Sequence, residues 1–210
     1  MYVDPYLFTL STGEIMEIEK ALELVKKNVV NRNLFKHCLA VEAIMRTTAR
    51  ELNTLKKQEV LGDFDADEEK WAIAGLVHDI DYDITADDPA RHSVVGAKML
   101  EENGFDKEIV YAVKAHNEYH GLELLNPMDI ALYAADPLSG LIVASALINP
   151  AKKLKAIDTQ FVLNRFKEKL FAKGANRGQI SACAKLGIEL ERFIEISLKS
   201  MQEIDTELGL

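Results

Sequence analysis

Apolar side chains recur along this chain at three- and four-residue spacing. Leu34, His37, Cys38, Val41, Ile44, Met45 and Thr48 fall on one face of a helix. The helical pattern begins at Glu14, after an irregular stretch over 1–13, and it persists to the end of the chain. The polar segment Lys56 to Ala66, with Gly62, reads as a loop, and Asp65 followed by Glu68 resembles a capping box. The next helix runs through Trp71, Ala74, Leu76 and Val77 into His78-Asp79. Pro89 suits the first turn of a further helix through His92, Val95, Met99 and Leu100, closed by Gly104.

Asp106 caps the following helix, with Ile109, Val113 and His116 on its inner face, and Gly121 ends it. Pro127 begins a helix that carries Asp136, with Pro137 as a kink or restart, and Asn149-Pro150 breaks the chain. Two more helices are expected over about Asp158–Lys173 and Arg177–Leu208. No stretch alternates for long like a strand. The pattern predicts an all-α bundle of seven to nine helices in one domain, 1–210, with a core of about 30–150 and added C-terminal helices over 151–210.

Composition narrows the function classes. The 210 residues are 48% hydrophobic and 28% charged, enough for a sizeable core. The net charge of −9 argues against a nucleic-acid polymer as partner, since backbone phosphates are bound by clustered Lys and Arg. A small phosphorylated molecule stays open as a partner. The two cysteines, Cys38 and Cys183, have no paired spacing, which reads as buried free thiols in a reducing compartment. The N-terminus lacks a basic, apolar and small-residue leader pattern, and the longest strongly apolar run, Leu141 to Ile148, is short for a bilayer. These features predict a cytoplasmic protein with no membrane partner; homo-oligomers stay open.

The chemistry sits in the histidines. All five, His37, His78, His92, His116 and His120, fall between residues 37 and 120. Singly, a histidine on an apolar face is a core residue bonded to a carbonyl, and Asp136 before a proline is a helix-end residue. Together, so many imidazoles and aspartates are costly to bury without a common partner. A shared metal answers that cost, because neutral imidazoles and carboxylates are its ligands. Neighbouring helix residues point about 100° apart. His78 and Asp79 therefore converge on one cation only in a cleft near a helix end, where a carboxylate can bridge two metals.

The order His37, His78-Asp79, Asp136 resembles the HD superfamily of metal-dependent phosphohydrolases. AGLVHDID is similar to the HDIG subgroup, HSVVGAKML to that subgroup's next segment, AVKAHNEYHG to the one after, and ALYAADPLSGLI to the region of the last aspartate. The tail LNRFKEKLFAKGANRG resembles an uncharacterised group of HD hydrolases. The resemblance implies one metal held by His37, His78, Asp79 and Asp136. Asp79 would bridge to a second, completed by His92 and His116, with a metal-bound water as nucleophile. The cofactors so implied are two divalent ions from Fe, Mn, Co, Ni or Zn. The same ligand set implies, as alternatives, a diiron oxygenase or a non-catalytic metal-binding module.

The chain departs from the pattern where Asp81 and Tyr82 replace the Gly and frequent Lys of HDIG, removing a phosphate-binding lysine. No GYP follows His116, which points away from a cyclic dinucleotide phosphodiesterase. Asp81 and Asp83 are read as carboxylates that orient histidines, and Tyr82 as a packing residue. His120, one turn beyond His116, is a weaker candidate for ligand or acid. Lys153, Lys173 and Arg177, with the Gly174–Gly178 loop between the last two, are the weaker candidates for substrate phosphate, against the simpler reading of a solvated basic surface.

Overall fold

The computed structural model describes residues 12–57 and 65–210, with side chains placed from Glu17 to Leu55 and from Asp65 onward. The irregular stretch expected before residue 12, and Gly62 in the expected loop, lie outside the described residues. The helices are α1 (Thr12–Asn28), α2 (Arg32–Lys57), α3 (Glu68–Val77), α4 (Tyr82–Thr85), α5 (Val94–Glu102), α6 (Lys107–Ala115), α7 (Pro127–Ile148), α8 (Thr159–Lys167), α9 (Arg177–Ile180), α10 (Leu190–Glu203) and α11 (Asp205–Leu208). Eight of these have nine residues or more and three are single turns, and the described residues include no strand. The all-α bundle follows the hydrophobic periodicity of the sequence.

The long amphipathic α2 is the hub, packing on α3, α7 and α10. Its approach to α3 is backbone to backbone. A Cβ on Gly75 would lie 2.7 Å from the Val41 carbonyl oxygen, so no side chain fits there. The helices run antiparallel: Arg46 of α2 pairs with Glu69 at the start of α3, while His37 meets His78 at its end. Gly75 lies three residues before His78 and Val41 four residues after His37, so the close contact sets the spacing of those two histidines. Arg46 is 1% exposed and also reaches Glu42 at 3.4 Å, forming a buried ion cluster on the far side of the contact. Removing one member of such a cluster strands a charge and costs about 3–5 kcal/mol.

Helix α7 is long and apolar enough to cross a membrane by length and composition, which the Leu141–Ile148 run alone did not suggest. Most of it is buried, against α2, α6, α8 and α10, as the core helix of the bundle. It runs without a break through Pro137, and Asn126 and Asp129 close a capping box at its start.

Several boundaries differ from the sequence pattern. Helix α3 is capped by Asp67, not Asp65; its carboxylate accepts from the Glu69 and Lys70 N–H groups. Helix α5 starts at Val94, after turns over 89–93 that end with Ser93 at φ 68°. His92 therefore sits in a turn, not on a helix. The two expected C-terminal helices are divided. Glu168 leaves helical geometry, and Gly187 at φ 71° ends a 3-10 segment before α10 begins.

Candidate metal centre

Four helices and a turn bring six side chains to one cleft. His37 comes from the second turn of α2, His78 caps the C-terminus of α3 with Asp79 next to it, and His116 caps the C-terminus of α6. His92 comes from the turn before α5 and Asp136 from α7. Two helix C-termini thus point at the cleft, and their partial negative charge favours a cation there.

Each histidine has one ring nitrogen already tied. His78 Nδ1–H donates to the Gly75 carbonyl at 2.8 Å, and His116 Nδ1–H to the Val113 carbonyl at 2.6 Å. A carbonyl only accepts, so these two tautomers are fixed. His92 Nδ1 bonds the Asp81 Oδ1 carboxylate oxygen at 3.1 Å. His37 Nδ1 donates to Ser139 Oγ at 2.9 Å, and that hydroxyl donates onward to the Asp136 carbonyl at 2.9 Å. In each ring this leaves Nε2 facing the cleft, 3.1 to 3.6 Å from an oxygen of Asp79 or Asp136. Backbone and carboxylate partners of this kind orient the imidazoles of metal sites.

The facing atoms divide around Asp79. Its Oδ2 lies 3.4 Å from His78 Nε2 and 3.6 Å from His37 Nε2. Its Oδ1 lies 3.4 Å from His92 Nε2 and 3.6 Å from His116 Nε2. Asp136 Oδ1 joins the first pair, at 3.1 Å from His37 Nε2 and 3.8 Å from His78 Nε2. His37 and His78 Nε2 are only 3.1 Å apart. Donor atoms about 2.1 Å from one cation sit roughly 3.0 Å apart at right angles and 3.4 Å at tetrahedral angles. The observed separations run from 3.1 to 3.8 Å, the shorter within that range and the longer a few tenths of an ångström beyond it.

Three groups of side chains, His37–His78–Asp79, Asp79–His92–His116 and His78–His116–Asp136, have candidate ligand atoms within 4.8 Å of one another. The third runs across the other two, so the whole set surrounds one cleft. The shorter Asp79 distances are what split it in two.

Positive charge is required here. Four lone pairs and three carboxylate oxygens meet with no donor among them, so the cleft must hold protons or a metal. In the protein alone, burial opposes charge on His78, but the Asp79 carboxylate overrides it and lifts the imidazole to about 9. Burial alone would raise the Asp79 carboxyl; the imidazoles of His78, His116 and His37 reverse this and hold it well below the usual carboxylate range. Asp136 is likewise lowered against its burial, chiefly through its bond to His37. Burial, reinforced by the Asp79 charge, pushes the Cys38 thiol far up, so this neighbour of His37 is not a thiolate ligand.

The buttress of the site is richer than the sequence suggested. Asp81, fully buried, binds His92 Nδ1 and accepts from the Ser93 and Gly96 N–H groups at 2.9 Å each. Gly96 has to be small, because a Cβ there would lie 3.2 Å from the Asp81 carboxyl. Asp83 does not touch a histidine. It accepts from the Val30 and Asn31 N–H groups and so pins the start of α2. Tyr82 packs edge-on against the His92 ring at 5.0 Å. Ser139 and Asn117 escaped the sequence reading. Asn117 bonds the Pro89 and His92 carbonyls and holds the His92 turn in place. Nothing in a lone serine or asparagine announces such a role before the fold is known.

The weaker candidates have other work. His120 is not one turn of helix beyond His116, because α6 ends at Ala115 and His120 lies in a 3-10 turn. Its Nε2 bonds the His92 carbonyl at 2.9 Å, and it is in none of the three ligand groups. Arg177 donates to the carbonyls of Arg165, Phe166, Glu168, Phe171, Ala172 and Ala175. Its guanidinium is saturated by backbone and unavailable to phosphate. In the adjoining loop, Asn176 Oδ1 accepts from the Gly178 and Gln179 N–H groups, which removes the expected anion nest. Lys153 and Lys173 are exposed, and no described hydrogen bond or ion pair links them to the cleft.

Residues 34–158, which include all six facing side chains, match the HD domain family. An uncharacterised protein of Methanocaldococcus jannaschii is 32% identical over 188 residues, covering 86% of this chain and all of that protein. Ribonuclease Y of Oleidesulfovibrio alaskensis is 30% identical over 125 residues, 59% of this chain, and ribonuclease Y of Geobacter sulfurreducens is 28% identical over the same length. The match spans 21% of each of these ribonucleases. No solved structure matches the chain. The chain belongs to the HD domain family, a superfamily of metal-dependent phosphohydrolases, and its His/Asp cluster fits the metal site of that family.

Proposed function

We propose that the protein is a phosphohydrolase acting on a small phosphate ester through a dinuclear centre. The observation that carries this reading is the division of Asp79, with one carboxylate oxygen facing His37 and His78 and the other facing His92 and His116. In this reading His37, His78, Asp79 and Asp136 hold one divalent cation, and Asp79, His92 and His116 hold the other. When bound, such a pair lowers the pKa of a water that serves as nucleophile and neutralises charge on the phosphoryl oxygens. Imidazole-rich donor sets suit Fe, Mn, Co, Ni or Zn.

The chain's own residues aim and shield. Gly75, Val113, Asp81 and Ser139 keep the proton on each Nδ1, so every Nε2 stays a donor to metal. His78 and His116 side chains are 0% and 2% exposed, whereas His37 and Asp136 are 24% and 30% exposed. Substrate therefore enters on the His37–Asp136 side, and the other side excludes water. The ribonuclease names of the relatives support phosphate-ester chemistry; the net charge of −9 favours a small ester over a polynucleotide. The buried thiols Cys38 and Cys183 suit a reducing compartment such as the cytoplasm.

The test is elemental analysis of the purified protein alongside turnover of phosphomonoesters, phosphodiesters and short RNA with Mn or Fe. Two metals per chain and ester hydrolysis are expected. A metal-loaded protein that turns over none of these substrates would falsify the reading.

A further inference from the structure

A cavity of about 370 Å³ lies between α2, α7 and the last residues of the chain from Leu208, and His37 is the one facing side chain in its lining among the described residues. His37 and Ser139, one a facing imidazole and the other its partner, line the cavity as well. The remaining walls are mostly apolar: Ala40, Val143, Leu147 and Leu208. No Asp or Glu side chain lines it among the described residues, although the chain carries 34 acidic residues against 25 basic ones. Among the described residues Lys36 is the one lysine or arginine in the lining, and no Asp or Glu is described as pairing with it. The Lys36 ammonium lies against Gly209, where a Cβ would be 2.8 Å from Nζ and where φ is 72°.

We propose that this cavity seats the organic group of a phosphomonoester while Lys36 contacts its phosphate. The inference rests on the phosphohydrolase reading and adds the substrate class. A volume near 370 Å³ is at the small end of ligand sites, with space for one compact group. A diester would need a second such space on the open edge of the cleft. The apolar walls select a weakly polar group, and one lysine in the lining suits one phosphate better than a polyphosphate chain. Lys36 thus takes the role that the sequence pattern assigned to Lys153, Lys173 and Arg177.

Phenyl phosphate is the probe, measured by calorimetric binding and by turnover on the metal-loaded full chain. Gly140 lines the cavity, and a Cβ there meets nothing within 4 Å, so Gly140→Phe can project a ring from a position whose Cβ is free of contacts. This variant is expected to keep its metal content and to lose phenyl phosphate binding by tenfold or more. Lys36→Ala is expected to raise both Kd and KM about tenfold, as for loss of a charge-assisted hydrogen bond, with Lys36→Arg recovering part of it. A wild type that fails to bind phenyl phosphate overturns the proposal. So do variants whose Kd and KM match wild type in an enzyme that hydrolyses esters; the phosphohydrolase reading then survives. Binding that both variants weaken, without turnover in wild type, upholds the cavity and removes the phosphohydrolase reading.

Discussion

The two sides of the metal centre are built differently. His78 and His116 end their helices and tie Nδ1 to a carbonyl three residues back, so each is aimed by its own helix turn and buried. His37 and Asp136 lie within helices, are partly exposed, and depend on each other and on Ser139. One side is fixed by local backbone, the other by contacts between α2 and α7. A site that must bind metal firmly and still admit substrate gains from that division, since the rigid side needs no access and the open side can accommodate a ligand.

The largest effect should come from the residue common to both sides. Asp79→Asn is expected to reduce metal below two per chain and to lower ester turnover by about 10³-fold, the loss of roughly 4 kcal/mol of charge stabilisation. Elemental analysis and steady-state kinetics report both.

Alanine at the paired positions sharpens the contrast. His116→Ala leaves a hole and an unpaired carbonyl in a buried wall, so the metal-free protein should lose about 2 kcal/mol in denaturant unfolding. His37→Ala, at the exposed edge, should lose metal at least as readily while its unfolding midpoint moves far less. Equal destabilisation would abolish the distinction.

The supports are next. Asp81→Asn should weaken metal binding by about 10–100-fold, the usual range for a carboxylate behind a ligating histidine. Ser139→Ala should fall at the low end of that range, because water can replace a hydroxyl at an exposed edge. Competition with a chelator ranks the two.

The smallest effect is a pH slope. In the metal-free cleft His78 keeps its proton up to about pH 9, and metal must displace it. Between pH 7 and 8 the apparent Kd should therefore fall about tenfold, the slope for one released proton. A flat profile would mean that His78 is neutral before the metal arrives.

The side that is fixed locally is also the side most legible in sequence. An apolar helix that stops at His-Asp shows its cap and its ligands in adjacent residues. Helix periodicity likewise put His37 on a buried face, whereas Asp136, before a proline, stood out only through the family resemblance. His92 was readable as a site residue but not as a turn residue, because Ser93 at φ 68° obeys the Asp81 contacts and not its own propensity. The weak sites failed for a related reason. His120 and Arg177 show free polar groups in sequence, but the fold spends both on backbone carbonyls 28 and up to 12 residues away. Lys36 was hidden next to His37, where a helical pattern says only that the side chain lies off the buried face. Long-range partners of this kind are set by the packing of α7 and the C-terminal turns, which no local pattern encodes.

The Nδ1 bonds of His78 and His116 also matter for protein design. Each ligand has its Nδ1 tied within four consecutive residues, Gly75–His78 or Val113–His116. A helix that ends in histidine is thus a transferable part: set at the end of a designed helix, it should present Nε2 along the axis with its tautomer already chosen. Two such ends and one aspartate between them would suffice as a starting template for a metal-binding scaffold.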